Sequence, residues 1–146
     1  MIKTTKYSFY TIIFFACFSL ILPAFGGNIE NNKDFGRFLD ILGKVESNNN
    51  DYEVGDNGRA ISRYQIWEVC YKDAKQFDKT IDFPYYSLTN KVNAQKVVKS
   101  YLNRYSKTDN IEEWARLWNG GCNWKKKTGQ AKKNLDIYWL KIKKNI

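Results

Sequence analysis

Apolar residues at Phe35, Phe38, Leu39, Leu42 and Val45 recur at the spacing of a single helical face and predict a first helix from about Lys33 or Asp34 to Glu46. Glu46 continues that same face, four residues after Leu42. A carboxyl placed there is partly desolvated by its apolar neighbours and sits at the negative end of the helix dipole; both effects disfavour its anion and raise its pKa. The pattern then changes. After Ser47 comes an Asn-rich loop, followed by Tyr52-Glu53-Val54, the turn signal Gly55-Asp56-Asn57-Gly58, and Arg59-Ala60-Ile61. Two short strand-like runs around a strong turn predict a small antiparallel hairpin, which would project Asp56 back towards the end of the helix.

Helical spacing resumes at Trp67, Cys70, Tyr71, Ala74 and Phe77, and a loop containing Pro84 follows from Asp78 to Tyr86. A long helix starting at Ser87 or Asn90 carries Ala94, Val97, Val98, Tyr101, Leu102 and Tyr105 on one side, the clearest periodicity in the chain. Its tyrosines read as core residues. Asn110 precedes a short helix marked by Ile111, Trp114, Ala115 and Trp118, which Asn119-Gly120-Gly121 ends. The tract from Cys122 to Lys133 reads as a basic surface loop or weak helix. A last helix then shows Leu135, Tyr138, Trp139 and Ile142 on one face. The fold class expected is α+β, mostly helical, with one small antiparallel hairpin beside the helix that carries Glu46.

Residues 1–26 have Lys3 and Lys6, an apolar run to about Leu22, Pro23, and small residues at Ala24 and Gly26. This is the pattern of a secretory signal peptide, with an apolar run short for a spanning helix. The expectation is a secreted, extracellular protein whose mature domain is 27–146, monomeric and not inserted in a membrane. Subtracting the two leader lysines from 24 basic side chains leaves 22 against 15 acidic ones, a net charge of +7. An anionic partner such as a bacterial surface fits that charge. Nucleic acid does not, because no basic helix with interleaved base-reading residues appears. Cys70 and Cys122 are the two cysteines after the leader, and one disulfide between them is possible in an oxidising compartment.

The chain contains no histidine. Ser-His-Asp and Cys-His nucleophile systems are thereby excluded, as are histidine metal sites, and two cysteines cannot build a thiolate zinc cage. No cofactor or metal is expected. Carboxylates are the chemistry that remains, and Glu46 and Asp56, ten residues apart, are a candidate pair of the kind used in glycoside hydrolysis.

Val45-Glu46-Ser47, Gly55-Asp56-Asn57-Gly58-Arg59-Ala60, Tyr64-Gln65-Ile66, Trp114-Ala115-Arg116-Leu117-Trp118-Asn119-Gly120-Gly121 and Tyr138-Trp139 follow one another in an order that resembles the lysozyme superfamily. The nearest likeness is to invertebrate-type lysozymes and soluble lytic transglycosylase-like proteins. The resemblance implies a lysozyme-like fold, a bacteriolytic glycosidase cleaving the β-1,4 link between N-acetylmuramic acid and N-acetylglucosamine, and peptidoglycan or a related amino-sugar glycan as partner. It implies Glu46 as catalytic acid, and Asp56 as the better candidate for the second carboxylate, with Asp51 and Glu53 as alternatives. It also implies Ser47, Tyr64, Gln65, Asn119 and Gly120 as cleft lining or substrate support. Gln65 and Asn119 read equally well as local caps. The chain departs from the pattern in having few cysteines, in Arg63 where a small residue is usual, and in Trp118 and Cys122 flanking Asn-Gly-Gly. Two alternatives follow: a lytic transglycosylase that needs Glu46 alone, and a non-catalytic glycan binder or cationic antimicrobial protein.

Overall fold

The computed structural model describes residues 33–146; the expected signal peptide and the polar stretch to residue 32 lie outside the described residues. Five α-helices and a small antiparallel sheet make a mostly helical α+β architecture: α1 (Lys33–Ser47), β1 (Val54–Gly55), β2 (Ala60–Ile61), β3 (Ile66–Trp67), α2 (Glu68–Phe77), α3 (Lys91–Tyr105), α4 (Ile111–Gly120) and α5 (Gly129–Lys143). Short 3-10 turns occupy Asp56–Gly58, Tyr85–Thr89 and Trp124–Lys126.

The expected hairpin is one strand short of what forms. The sheet has three strands in the order β1-β2-β3, with Val54 opposite Ile61 and Ala60 opposite Trp67. Ile66 and Trp67 were expected to lead into and begin the next helix. They are drawn into the sheet because Ser62 and Gln65 both take positive φ (72° and 50°), turning the chain back alongside β2.

α1 ends where its sequence changes character. Asn48 and Asn49 adopt left-handed φ values of 55° and 64°, a conformation that asparagine tolerates better than most side chains, and their N–H groups donate to Lys44 and Gly43 carbonyls at 3.1 and 2.9 Å. The Ser47 hydroxyl then donates to the Arg63 carbonyl at 2.9 Å and accepts from the Asn50 N–H at 3.0 Å. The end of α1 is thus tied to the loop before β3.

α3 and α4 begin on asparagine caps. Asn90 Oδ1 accepts from Val92 and Asn93, and Asn110 Oδ1 accepts from Glu112 and Glu113, satisfying N–H groups that have no partner within the first turn. α2 packs on α3 and α4 on α5. The two pairs meet where α3 packs on α4, and α1 packs on α4 and α5. Trp114 of α4 is fully buried, edge-on to Phe35 at 5.5 Å and tilted against Phe38 at 5.6 Å. Of the two α3 tyrosines expected in the core, Tyr101 is buried and meets Trp118 edge-on at 5.9 Å, whereas Tyr105 is only partly buried because its hydroxyl reaches out to donate to Asp73 Oδ1 at 3.1 Å.

α5 starts earlier than the periodicity of its apolar face suggests, at Gly129 within the basic tract. Its first turns are polar and exposed, and side-chain pairs one turn apart support them: Gln130 with Asn134, and Lys132 with Asp136, which also pairs with Arg116. Buried Leu135, Tyr138 and Ile142 then place the second half of α5 beside α1 and α4.

Candidate active site

The C-terminal end of α1, the β1–β2 turn, β3, the start of α2 and the end of α4 surround a small open cleft. Glu46, Asp56, Gln65, Trp67, Cys70, Trp118 and Asn119 line it. Four of the residues expected at the site, Glu46, Asp56, Gln65 and Asn119, therefore meet in one place.

Glu46 is partly buried, and its carboxyl faces inward against α5. Tyr138 donates a hydrogen bond to Glu46 Oε1 at 2.5 Å, while Oε2 bonds no described residue. Burial pushes the Glu46 pKa up from 4.5 to about 7; the Tyr138 hydroxyl opposes this, the nearby negative charge of Asp56 adds to it, and the positive charge of Lys141 opposes it. Desolvation wins because one hydrogen bond cannot replace a full hydration shell. Half of the Glu46 side chains are thus protonated near neutral pH, as a general acid requires. Burial also raises the Tyr138 hydroxyl well above the usual phenol range, so it remains a donor.

A carboxyl whose folded pKa lies above its unfolded value stabilises the fold most when it is protonated in both states. The contribution of Glu46 is complete below about pH 4.5, declines as pH rises, and is lost above about pH 7, a span of about 3 kcal/mol at about 1.4 kcal/mol per pH unit. Glu46→Gln removes the ionisation while keeping an oxygen for Tyr138. Its thermal midpoint should therefore rise relative to the parent between about pH 4 and pH 8. A difference between the two proteins that is constant across that range would contradict the buried environment assigned to Glu46.

Asp56 opens a run of three left-handed residues, Asp56, Asn57 and Gly58, with φ of 49°, 56° and 90°. Only the glycine takes this conformation without cost, so the turn holds some strain at Asp56. Its carboxylate is fixed by the Trp67 indole, whose Nε1 donates to Oδ2 at 3.0 Å. The alternatives for the second carboxylate are engaged elsewhere. Asp51 forms a two-point ion pair with Arg63, and Glu53 accepts from Asn50 Nδ2 at 2.8 Å. Neither lines the cleft. Arg63 is drawn to Asp51 and the Asn49 carbonyl and is likewise not part of the cleft wall.

Gln65 combines two tasks. Its Nε2 donates to the Ser62 carbonyl at 3.0 Å and to the Glu53 carbonyl at 3.4 Å, fastening the turn that creates β3. Its Oε1 lies so close to Gly55 that a Cβ there would sit 1.9 Å away, so any side chain at that position would displace the Gln65 amide from this turn.

Three expected cleft residues have other positions. Ser47 is the tie between α1 and the Arg63 carbonyl and does not line the cleft. Tyr64 is wholly buried in the core. Gly120 serves helix packing, because a Cβ at this position would meet Trp124 Cβ at 2.6 Å and Leu135 Cδ2 at 2.8 Å. The Cys70–Cys122 disulfide is not formed. Cys70 is a free thiol on the buried side of α2, where loss of hydration pushes its pKa far up and keeps it protonated.

Trp67, Trp118 and Tyr138 are the site residues that sequence reasoning did not select. Tyr138 was legible as a core-facing residue of the last helix, but its partner lies 92 positions away. Trp67 donates to a carboxylate eleven positions back, across a turn whose shape depends on the left-handed residues between them. The chain matches no protein-family model, and neither curated proteins nor solved structures yield a similar protein.

Proposed function

We propose that this protein is a secreted lysozyme-like glycosidase that hydrolyses β-1,4 links of peptidoglycan between N-acetylmuramic acid and N-acetylglucosamine. The observation that carries the proposal is the pairing of unlike carboxyls in one open cleft. Glu46 is desolvated and half protonated near pH 7, while Asp56, which lines the same cleft, is held by an indole N–H. Two carboxyls in different surroundings are the requirement for separating an acid from a nucleophile or charge stabiliser. The helix-plus-small-sheet arrangement around the cleft supports a lysozyme-like fold.

In the proposed reaction Glu46 gives its proton to the glycosidic oxygen, with Tyr138 fixing one carboxyl oxygen so that the other faces the substrate. Asp56 attacks or stabilises the oxocarbenium-like centre, and water completes hydrolysis. Gln65 and Asn119 offer amide groups to the sugar, and Trp67 and Trp118 offer apolar wall.

Asp56→Asn tests the second role, because the amide keeps an oxygen for the Trp67 N–H and loses the charge. A fall in kcat of about a hundredfold or more is expected, the size found when one preorganised electrostatic group is removed from a transition state. An unchanged rate, with sugar products lighter by one water, would remove Asp56 from the mechanism and favour transglycosylation by Glu46 alone.

A further inference from the structure

Arg59 follows the β1–β2 turn and touches two residues that line the cleft, Trp67 and Asp56. Three contacts fix it. Its guanidinium carbon sits 4.9 Å from the centroid of the Trp67 ring, its Nε donates to the Asp56 carbonyl oxygen at 3.1 Å, and its own carbonyl accepts from the Tyr85 hydroxyl, which also bonds the Ile66 carbonyl at 2.7 Å. Arg63, Arg104 and Arg116 are each neutralised by carboxylates of the chain. Arg59 is not. The Asp56 carboxylate is taken by Trp67, and the two terminal nitrogens of Arg59 donate to no described residue.

A guanidinium laid on an indole face is pre-organised, so less side-chain freedom is lost when it binds. Its free edge presents a planar pair of donors that matches a carboxylate. The side chain is solvent-exposed and so can meet a ligand without displacing any protein partner. The same Trp67 ring that orients Arg59 also lines the cleft and holds Asp56, which puts the cation beside the position where a glycan would lie.

We infer that Arg59 is a specificity-determining residue that binds a carboxylate carried by the muramic acid unit of the glycan, so that the cleft selects acidic wall glycan over neutral amino-sugar polymers. The inference rests on the proposed glycosidase reading and deepens it. The carboxylate is either the lactyl group of the sugar or an acidic group of its peptide stem.

The test compares the parent protein with Arg59→Gln and Arg59→Lys on three soluble glycans: wall fragments with intact stems, fragments stripped of their stems, and stripped fragments with the lactyl carboxyls amidated. Each protein is scored by the ratio of kcat/KM on a carboxylate-bearing glycan to that on the amidated one, which cancels any general disturbance of the Asp56 turn. The ratio should fall about tenfold to a hundredfold in Arg59→Gln, the value of one charge-assisted pair, and by less in Arg59→Lys, which keeps the charge without the planar fork. A fall on stripped fragments assigns the lactyl group, and a fall confined to fragments with stems assigns the stem. The same ratio in both variants and the parent would overturn the inference. Affinities measured for the three glycans in a Glu46→Gln background separate this role from turnover. If the parent releases no sugar, the glycosidase reading fails. A carboxylate preference that Arg59→Gln then abolishes would leave Arg59 as a glycan-recognition residue, whereas one it leaves intact would overturn the assignment.

Discussion

Replacing Glu46 by Gln should lower kcat on wall glycan by about a thousandfold while leaving the fold and glycan affinity in place. General acid catalysis by a positioned side chain contributes about 10² to 10⁴ in rate, and Gln cannot supply the proton. The amide is close in shape to the acid and still offers an oxygen to Tyr138, so the cleft wall should keep its geometry. The parent's rate should decline above about pH 7, tenfold per unit once Glu46 is ionised, because the reactive form is the protonated one. The residual activity of Glu46→Gln should lack that limb. Steady-state rates between about pH 4 and pH 9, with binding isotherms for both proteins, check the claim. A variant that retains a tenth of the parent rate, or a parent whose rate climbs through pH 8, would show that Glu46 is not the acid.

The second large effect is on stability. Trp114→Ala should cost about 3 to 5 kcal/mol, the range for removing a buried aromatic side chain. Trp114 has no exposed surface and meets both Phe35 and Phe38 of α1, so truncation opens a void where α1 and α4 are pinned together. For a domain of this size the midpoint should drop by roughly 10 to 25 °C, and a natural domain has only about 5 to 15 kcal/mol to lose. Trp114→Phe should cost much less, since the indole N–H bonds no described residue and the ring packing is largely retained. Denaturation midpoints of the two variants check this. A similar loss in both would mean that ring packing is not what Trp114 contributes.

Helices were legible in this sequence wherever one face was apolar at helical spacing. α1 is the clearest case for function, because its periodic face runs directly into Glu46, and the carboxyl's raised pKa followed from that placement alone. α3 and α4 were bracketed by their asparagine caps. The sheet was less legible because its strands are two residues long. No alternation can be read in Ile66–Trp67, and what makes this pair a strand is the left-handed backbone at Ser62 and Gln65. α5 began before its pattern did, since its first two turns bury nothing.

The site divided along a similar line. Glu46 and Asp56 could be named from local sequence, Gln65 and Asn119 only through the family resemblance, and all four share a cleft. Ser47, Tyr64 and Gly120 sit in the same short motifs, yet their side chains serve a helix-to-loop tie, the core and a close helix crossing. A motif fixes neighbours along the chain and leaves open which of them point inward. Cys70 and Cys122 were a candidate pair only on the expectation of an oxidising compartment, and Cys70 is a free thiol. Trp67 and Tyr138 act through partners distant along the chain, for which local spacing carries no signal.

Under the proposed mechanism Glu46 protonates a glycosidic oxygen in peptidoglycan and water completes the reaction. Mass spectrometry of the soluble products released from purified cell wall by the parent and by Glu46→Gln tests it most directly. Muropeptides with reducing N-acetylmuramic acid ends are expected from the parent and none above background from the variant. Release of no sugar by the parent, or equal release by both proteins, would contradict it.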